Sequence, residues 1–125
     1  MEVIFSYLED QQMVLVKTKG IADAKSSNQM SQSISQFMRQ YKARRCLIDH
    51  TELQMVAGKT LEIYQRPNEI LKLGIPVTIR IAALILPIHA EHFSFLETVS
   101  FNRGIGYRTF FDREEAEKWL TEATN

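Results

Sequence analysis

With one cysteine in 125 residues, the chain can form no internal disulfide, and its fold must rest on packing alone. Cys46 leads directly into Leu47 and Ile48, which marks a buried structural thiol rather than a reactive one. Neither sign of charge is in excess. Fifteen Lys and Arg face fifteen Asp and Glu, so no net field gathers nucleic acid or an anionic membrane. No apolar run approaches the ~20 residues of a membrane span, and Met1 to Tyr7 has neither the basic region nor the small-residue cleavage site of a secretory leader. A cytoplasmic protein without an integral membrane segment is expected. The catalytic templates are missing as well: there is no Gly-x-Ser-x-Gly elbow, no Walker loop, no Cys-x-x-Cys, and no Gly-x-Gly-x-x-Gly after a strand. Nothing prescribes an enzyme or a cofactor.

What is present is ordinary globular material. Apolar residues make up 45% of the chain and charged residues 24%, far from the composition of disorder. A chain of this length buries roughly two-thirds of its unfolded surface, so one domain over residues 1–125 with one core is expected. Residues 2–8 and 13–19 are β-branched and aromatic runs joined by the polar Glu9-Asp10-Gln11-Gln12, the pattern of an antiparallel hairpin, with Gly20 closing the second strand. Met30, Ile34, Phe37, Met38 and Tyr41 then recur at helical spacing. The opposite side of that helix is rich in Ser and Gln, so packing rather than propensity must hold it. The basic run from Arg39 to Arg45 suits a solvated helix end, where cations complement the macrodipole; the other reading is a phosphate site.

Cys46 to Asp49 reads as a short strand, ending at a polar break, Asp49-His50-Thr51-Glu52, where the chain leaves the sheet. A site is most at home at such a carboxyl edge. Lys59 to Leu73 is helical but interrupted by Pro67, with Gly74 and Pro76 as stops. The nearly continuous apolar run from Ile79 to Leu86 predicts a core strand covered on both faces. A helix over about 89–102 with Gly104 beyond its end, a strand over 107–111, and a final helix capped at Asp112 complete the chain. The order is β-β-α-β-α-β-α-β-α, and the expected architecture is a mixed five-stranded sheet flanked by four helices.

This order resembles the SpoIIAA-like family, relatives of STAS domains also described as STAS/SEC14-like. The likeness is carried by Ile81-Ala82-Ala83-Leu84-Ile85, by His92-Phe93-Ser94-Phe95-Leu96-Glu97 through Asn102-Arg103-Gly104, and by Phe110-Phe111-Asp112-Arg113-Glu114-Glu115-Ala116-Glu117-Lys118-Trp119-Leu120. The topology covers nearly the whole chain, whereas the sequence likeness is specific from about residue 79 onward. The resemblance implies a regulatory fold. In anti-sigma-factor antagonists of that family, an Asp-Ser-Ser-Gly type signature follows the third strand and carries a serine phosphorylated by a partner kinase. The corresponding stretch here, Asp49-His50-Thr51-Glu52, keeps the acid and a hydroxyl two residues on but lacks the paired serines and the glycine.

Asp49, His50 and Thr51 therefore form a candidate regulatory loop. Thr51 is a candidate phosphorylation site, because the modification would add nearly two negative charges. The alternative is that Asp49 and Thr51 only satisfy local backbone groups, and Thr51 is expected to stay unmodified. His89, Glu91 and His92 fall short of the three or four ligands of a zinc site, so no metal is expected. On the third helix, Ile88, His92, Phe95, Leu96 and Val99 share one arc, the expected core face. Phe93 and Phe101 fall roughly opposite and mark a candidate interaction surface. The leading expectation is a non-enzymatic interaction or regulatory module, a homodimer or one docking another protein. The second is a small apolar-ligand or lipid binder, which the SEC14-like side of the resemblance implies.

Overall fold

The computed structural model describes residues 1–57, 79–102 and 104–122. Its elements are β1 (Glu2–Leu8), β2 (Met13–Ala22), α1 (Ala24–Tyr41), β3 (Arg45–Val56), β4 (Arg80–Leu84), α2 (Ala90–Asn102), β5 (Gly106–Phe110) and α3 (Arg113–Thr121). The expected helix with its break at Pro67 lies outside the described residues. The strands form one five-stranded sheet in the order β1-β2-β3-β4-β5. β1 runs antiparallel to β2, and all other neighbours are parallel. A mixed α/β sheet with helices packed on it is therefore present, with three helices among the described residues.

The hairpin turns through a short 3-10 segment, Glu9–Gln11, and Gln12 at φ 51° returns its N–H to the Glu9 carbonyl. Beyond it the burial pattern separates edge from interior. β1 alternates exposed and half-buried side chains, whereas Met13 to Val16 of β2 and Ile81 to Leu84 of β4 are buried without interruption. The latter pattern requires cover on both faces. Val14, Val16, Cys46, Ile48 and Ile81 pack beneath Ile34 and Met38 of α1, and Ala83 and Ile85 pack beneath Phe93 and Leu96 of α2. On the other face Met13, Leu15, Leu47, Ala82 and Leu84 meet Ala116 and Leu120 of α3.

The helix ends have local causes. Asp23 accepts from the Ser26 N–H at 2.8 Å while the Ser26 hydroxyl accepts from the Asp23 N–H, a reciprocal cap that starts α1. α2 ends on Gly104 at φ 74°, where the Gly104 and Ile105 N–H groups close onto the Phe101 and Ser100 carbonyls. Asp112 caps α3 through the Glu114 N–H. At its far end, Arg45 and Arg80 donate to the Leu120 and Trp119 carbonyls from the sheet below.

Three expectations are corrected. Gly20 does not end β2, which continues to Ala22; Gly20 sits at φ 99° where the pairing with β3 shifts register. Asp49-His50-Thr51-Glu52 is not a loop after the strand, since β3 runs through it to Val56. The phase of α2 also differs: Phe93 is 4% exposed and belongs to the core, while Ile88, assigned to the core arc, is 83% exposed and Phe95 is partly so. Phe101 does point outward, at 79% exposure. The arc that packs is Phe93, Leu96, Val99 and Ser100, spaced by three, three and one.

Candidate functional site

The stretch at residues 49–51 is a β-bulge. Lys17 pairs with Asp49 and Lys19 with Glu52, so His50 and Thr51 of β3 together oppose Thr18 of β2. An extra residue frees ladder groups, and Asp49 compensates: its carboxylate accepts from the Thr51 N–H at 2.9 Å and from the Thr51 hydroxyl at 2.6 Å. The bulge turns His50 inward. Its Nδ1 lies 2.6 Å from the Thr18 hydroxyl, which is 1% exposed, and its ring stacks on Phe93 at 4.9 Å between centroids. Asp49 and Thr51 thus form a local bracket, and His50 is a core group on the side of α1 and α2.

Above His50 lies a cavity of about 50 Å³ between α1, α2 and the sheet, lined chiefly by apolar groups including Ile34, Ile48, Ile81, Phe93 and Leu96. His50 and His92 both reach it. Ser100, 1% exposed, lines it as well, and its hydroxyl finds no hydrogen-bond partner among the described residues. Ligand pockets run to roughly 300–1,000 Å³, so this one has room for a water or two and not for an acyl chain. The expectation of a lipid-binding interior finds no support in it. His89 is buried apart from this cavity, and its Nδ1 finds no hydrogen-bond partner among the described residues. No group of three or more His, Cys, Asp or Glu side chains among the described residues is placed to hold a metal. Burial pushes the Cys46 thiol up to about 12, far from the range of a working nucleophile.

A surface feature lies along β5, which is the last strand of the sheet among the described residues. Phe101 and Glu97 from α2, Tyr107 and Arg108 from β5, and Trp119 from α3 line a groove of about 330 Å³ that wraps this edge from one sheet face to the other. Its backbone is already occupied. Glu97 accepts from the Thr109 N–H at 3.1 Å and from the Thr109 hydroxyl at 2.6 Å, and the Tyr107 N–H turns back to the Ile105 carbonyl. A strand from another chain would have to displace both contacts. Phe101 was legible in the sequence as an outward ring. Tyr107, Trp119 and the bracing role of Glu97 were not, because three elements distant in sequence supply them.

No family model and no curated protein matches this chain. Solved structures do. An uncharacterized DUF3478-family protein from Shewanella loihica PV-4, described as having a SpoIIAA-like fold, matches with a TM-score of 0.59 at 19% identity, covering 95% of this chain and 92% of that one. The anti-sigma factor antagonist SpoIIAA in its unphosphorylated form matches with a TM-score of 0.54 at 15% identity, over 91% of this chain and 92% of its own. The chain has the SpoIIAA-like fold. No helix among the described residues is long and apolar enough to cross a membrane.

Proposed function

We propose that this chain is a cytoplasmic, non-enzymatic module of STAS type that acts by protein contact, first of all with a second copy of itself, through the groove at the β5 edge. The observation that carries the reading is Phe101, a ring 79% exposed beside a concave surface lined by Tyr107 and Trp119. Large apolar rings next to an aromatic hollow are the common anchors of interfaces. Because Glu97 and Ile105 occupy the edge N–H groups, contact is made by side-chain insertion, Phe101 of each copy entering the groove of the other in a closed two-fold pair. A structural neighbour described as an antagonist of another protein fits a role exercised by contact. The unreactive Cys46 thiol and the Thr51 hydroxyl tied to Asp49 fit a domain without chemistry of its own.

For a contact confined to one groove, a dissociation constant of roughly micromolar or weaker is expected. Sedimentation velocity over a wide concentration range tests it. The native chain should shift from monomer toward dimer as concentration rises, and Phe101→Glu should remain monomeric with an unchanged circular dichroism spectrum. A native chain that stays monomeric at millimolar concentration, or a variant that associates equally well, overturns the reading.

A further inference from the structure

Beside the β1–β2 hairpin the amino end of β3 meets the carboxyl end of α1. A polar groove of about 470 Å³ opens there, lined by Tyr7, Gln12, Tyr41, Lys42, Arg44 and Arg45. We propose that this groove binds a phosphate group carried on a small ester.

Three positive side chains converge on it, and among the described residues no carboxylate lines it, although Glu9 and Asp10 sit on the neighbouring turn. Among the described residues, none of the three cations makes an ion pair. The α1 macrodipole accounts for Lys42, which sits at the helix end at φ 53° with its N–H on the Arg39 carbonyl. It does not account for the placement of the two arginines that follow.

Arg45 is held rigidly. Its Nε donates to the Leu120 carbonyl and its Nη1 to the Gln11 carbonyl, both at 3.0 Å, so two of five guanidinium hydrogens are used and the rest remain for a ligand. A guanidinium fixed by neutral carbonyls keeps its full charge, and its planar fork matches the oxygens of a phosphate. Arg44 is exposed and free to close over a bound group, and Lys42 adds a point charge from the helix end. The stacked rings of Tyr7 and Tyr41, 4.3 Å apart and nearly parallel, wall one side and offer a surface for the organic part of an ester. The volume exceeds that of a bare phosphate, which is why an ester is assigned.

The test is titration of the 15N-labelled full chain with glycerol phosphate, alongside co-sedimentation with phosphatidylcholine vesicles with and without phosphatidic acid. Backbone signals of Lys42, Arg44 and Arg45 should move together on addition of the soluble ester. The double variant Lys42→Ala/Arg44→Ala removes exposed side chains only and should keep the native spectrum while losing affinity by roughly tenfold or more, the effect expected for charge-assisted bonds. Capture by phosphatidic acid vesicles that the double variant loses supports the same site and identifies its source as a lipid headgroup. Signal changes with the soluble ester alone identify a free phosphate ester. Binding to neither, or equal binding by native chain and double variant, overturns the proposal.

Discussion

Replacing Phe93 and Phe101 one at a time tests the orientation of α2, on which both the core and the proposed contact depend. Phe93 is 4% exposed, packs over Ala22, Leu53, Ala83 and Ile85, and carries the His50 ring on its face. Truncation to Ala removes nearly the whole ring from a closed site that already borders a cavity, so the surroundings have little means of filling the space. The cost should fall at about 3–5 kcal/mol, including the aromatic contact with His50. With a urea m-value of about 2 kcal/mol per M, the midpoint then drops by roughly 2 M. Phe101→Ala, by contrast, changes a ring already in water and should stay within about 0.5 kcal/mol at low concentration, where the monomer prevails. Equilibrium urea unfolding followed by circular dichroism measures both. Where Phe93→Ala leaves too little folded protein, Phe93→Leu supplies a smaller shift of the same sign. A neutral Phe93→Ala would refute the orientation and return the helix to the phase its sequence suggests, in which both rings lie outside the core; a costly Phe101→Ala would contradict the exposure of that ring.

Further outcomes follow from Cys46 and Thr51. Cys46 should resist a thiol-specific disulfide reagent at pH 8 in the native chain and react fully once unfolded. Because burial raises its folded pKa from 9.0 to about 12, its contribution to stability is complete below pH 9 and declines as pH rises toward 12. Thermal melts across that window should show a fall that Cys46→Ala diminishes, and a native thiol that reacts readily at pH 8 would contradict the burial. Thr51→Val removes a hydroxyl bonded to Asp49 and should cost about 1 kcal/mol in the same urea assay, without altering association. Intact-mass measurement of protein from its native host should find Thr51 unmodified; a dominant phosphorylated species at that residue would make the bulge a switch.

Much of the fold was legible because local chemistry specified it. The unbroken apolar run of β4 announced a strand covered on both faces, and Asp112 and Gly104 marked helix ends through capping and a left-handed turn. Element order and the mixed sheet followed from these signals and from the short hairpin. The course of β3 beyond Asp49 could not be read, since a polar Asp-His-Thr-Glu run carries the signal of a turn, and here it is accommodated in the strand by a bulge. The groups that make it tolerable, the Asp49 carboxylate on the Thr51 N–H and the Thr18 hydroxyl on His50, come together only when β2 and β3 pair. The phase of α2 was undetermined for another reason. Phe93, Phe95, Leu96, Val99 and Phe101 spread apolar character around much of the helix, so periodicity selects no single face. The sheet made the choice: Ala83 and Ile85 offer a shallow surface that Phe93 and Leu96 fill, which leaves Phe101 over the β5 edge. The two grooves likewise exist only in the tertiary structure, since each is assembled from at least three separated segments of the chain, and spacing along a sequence carries no record of such a meeting.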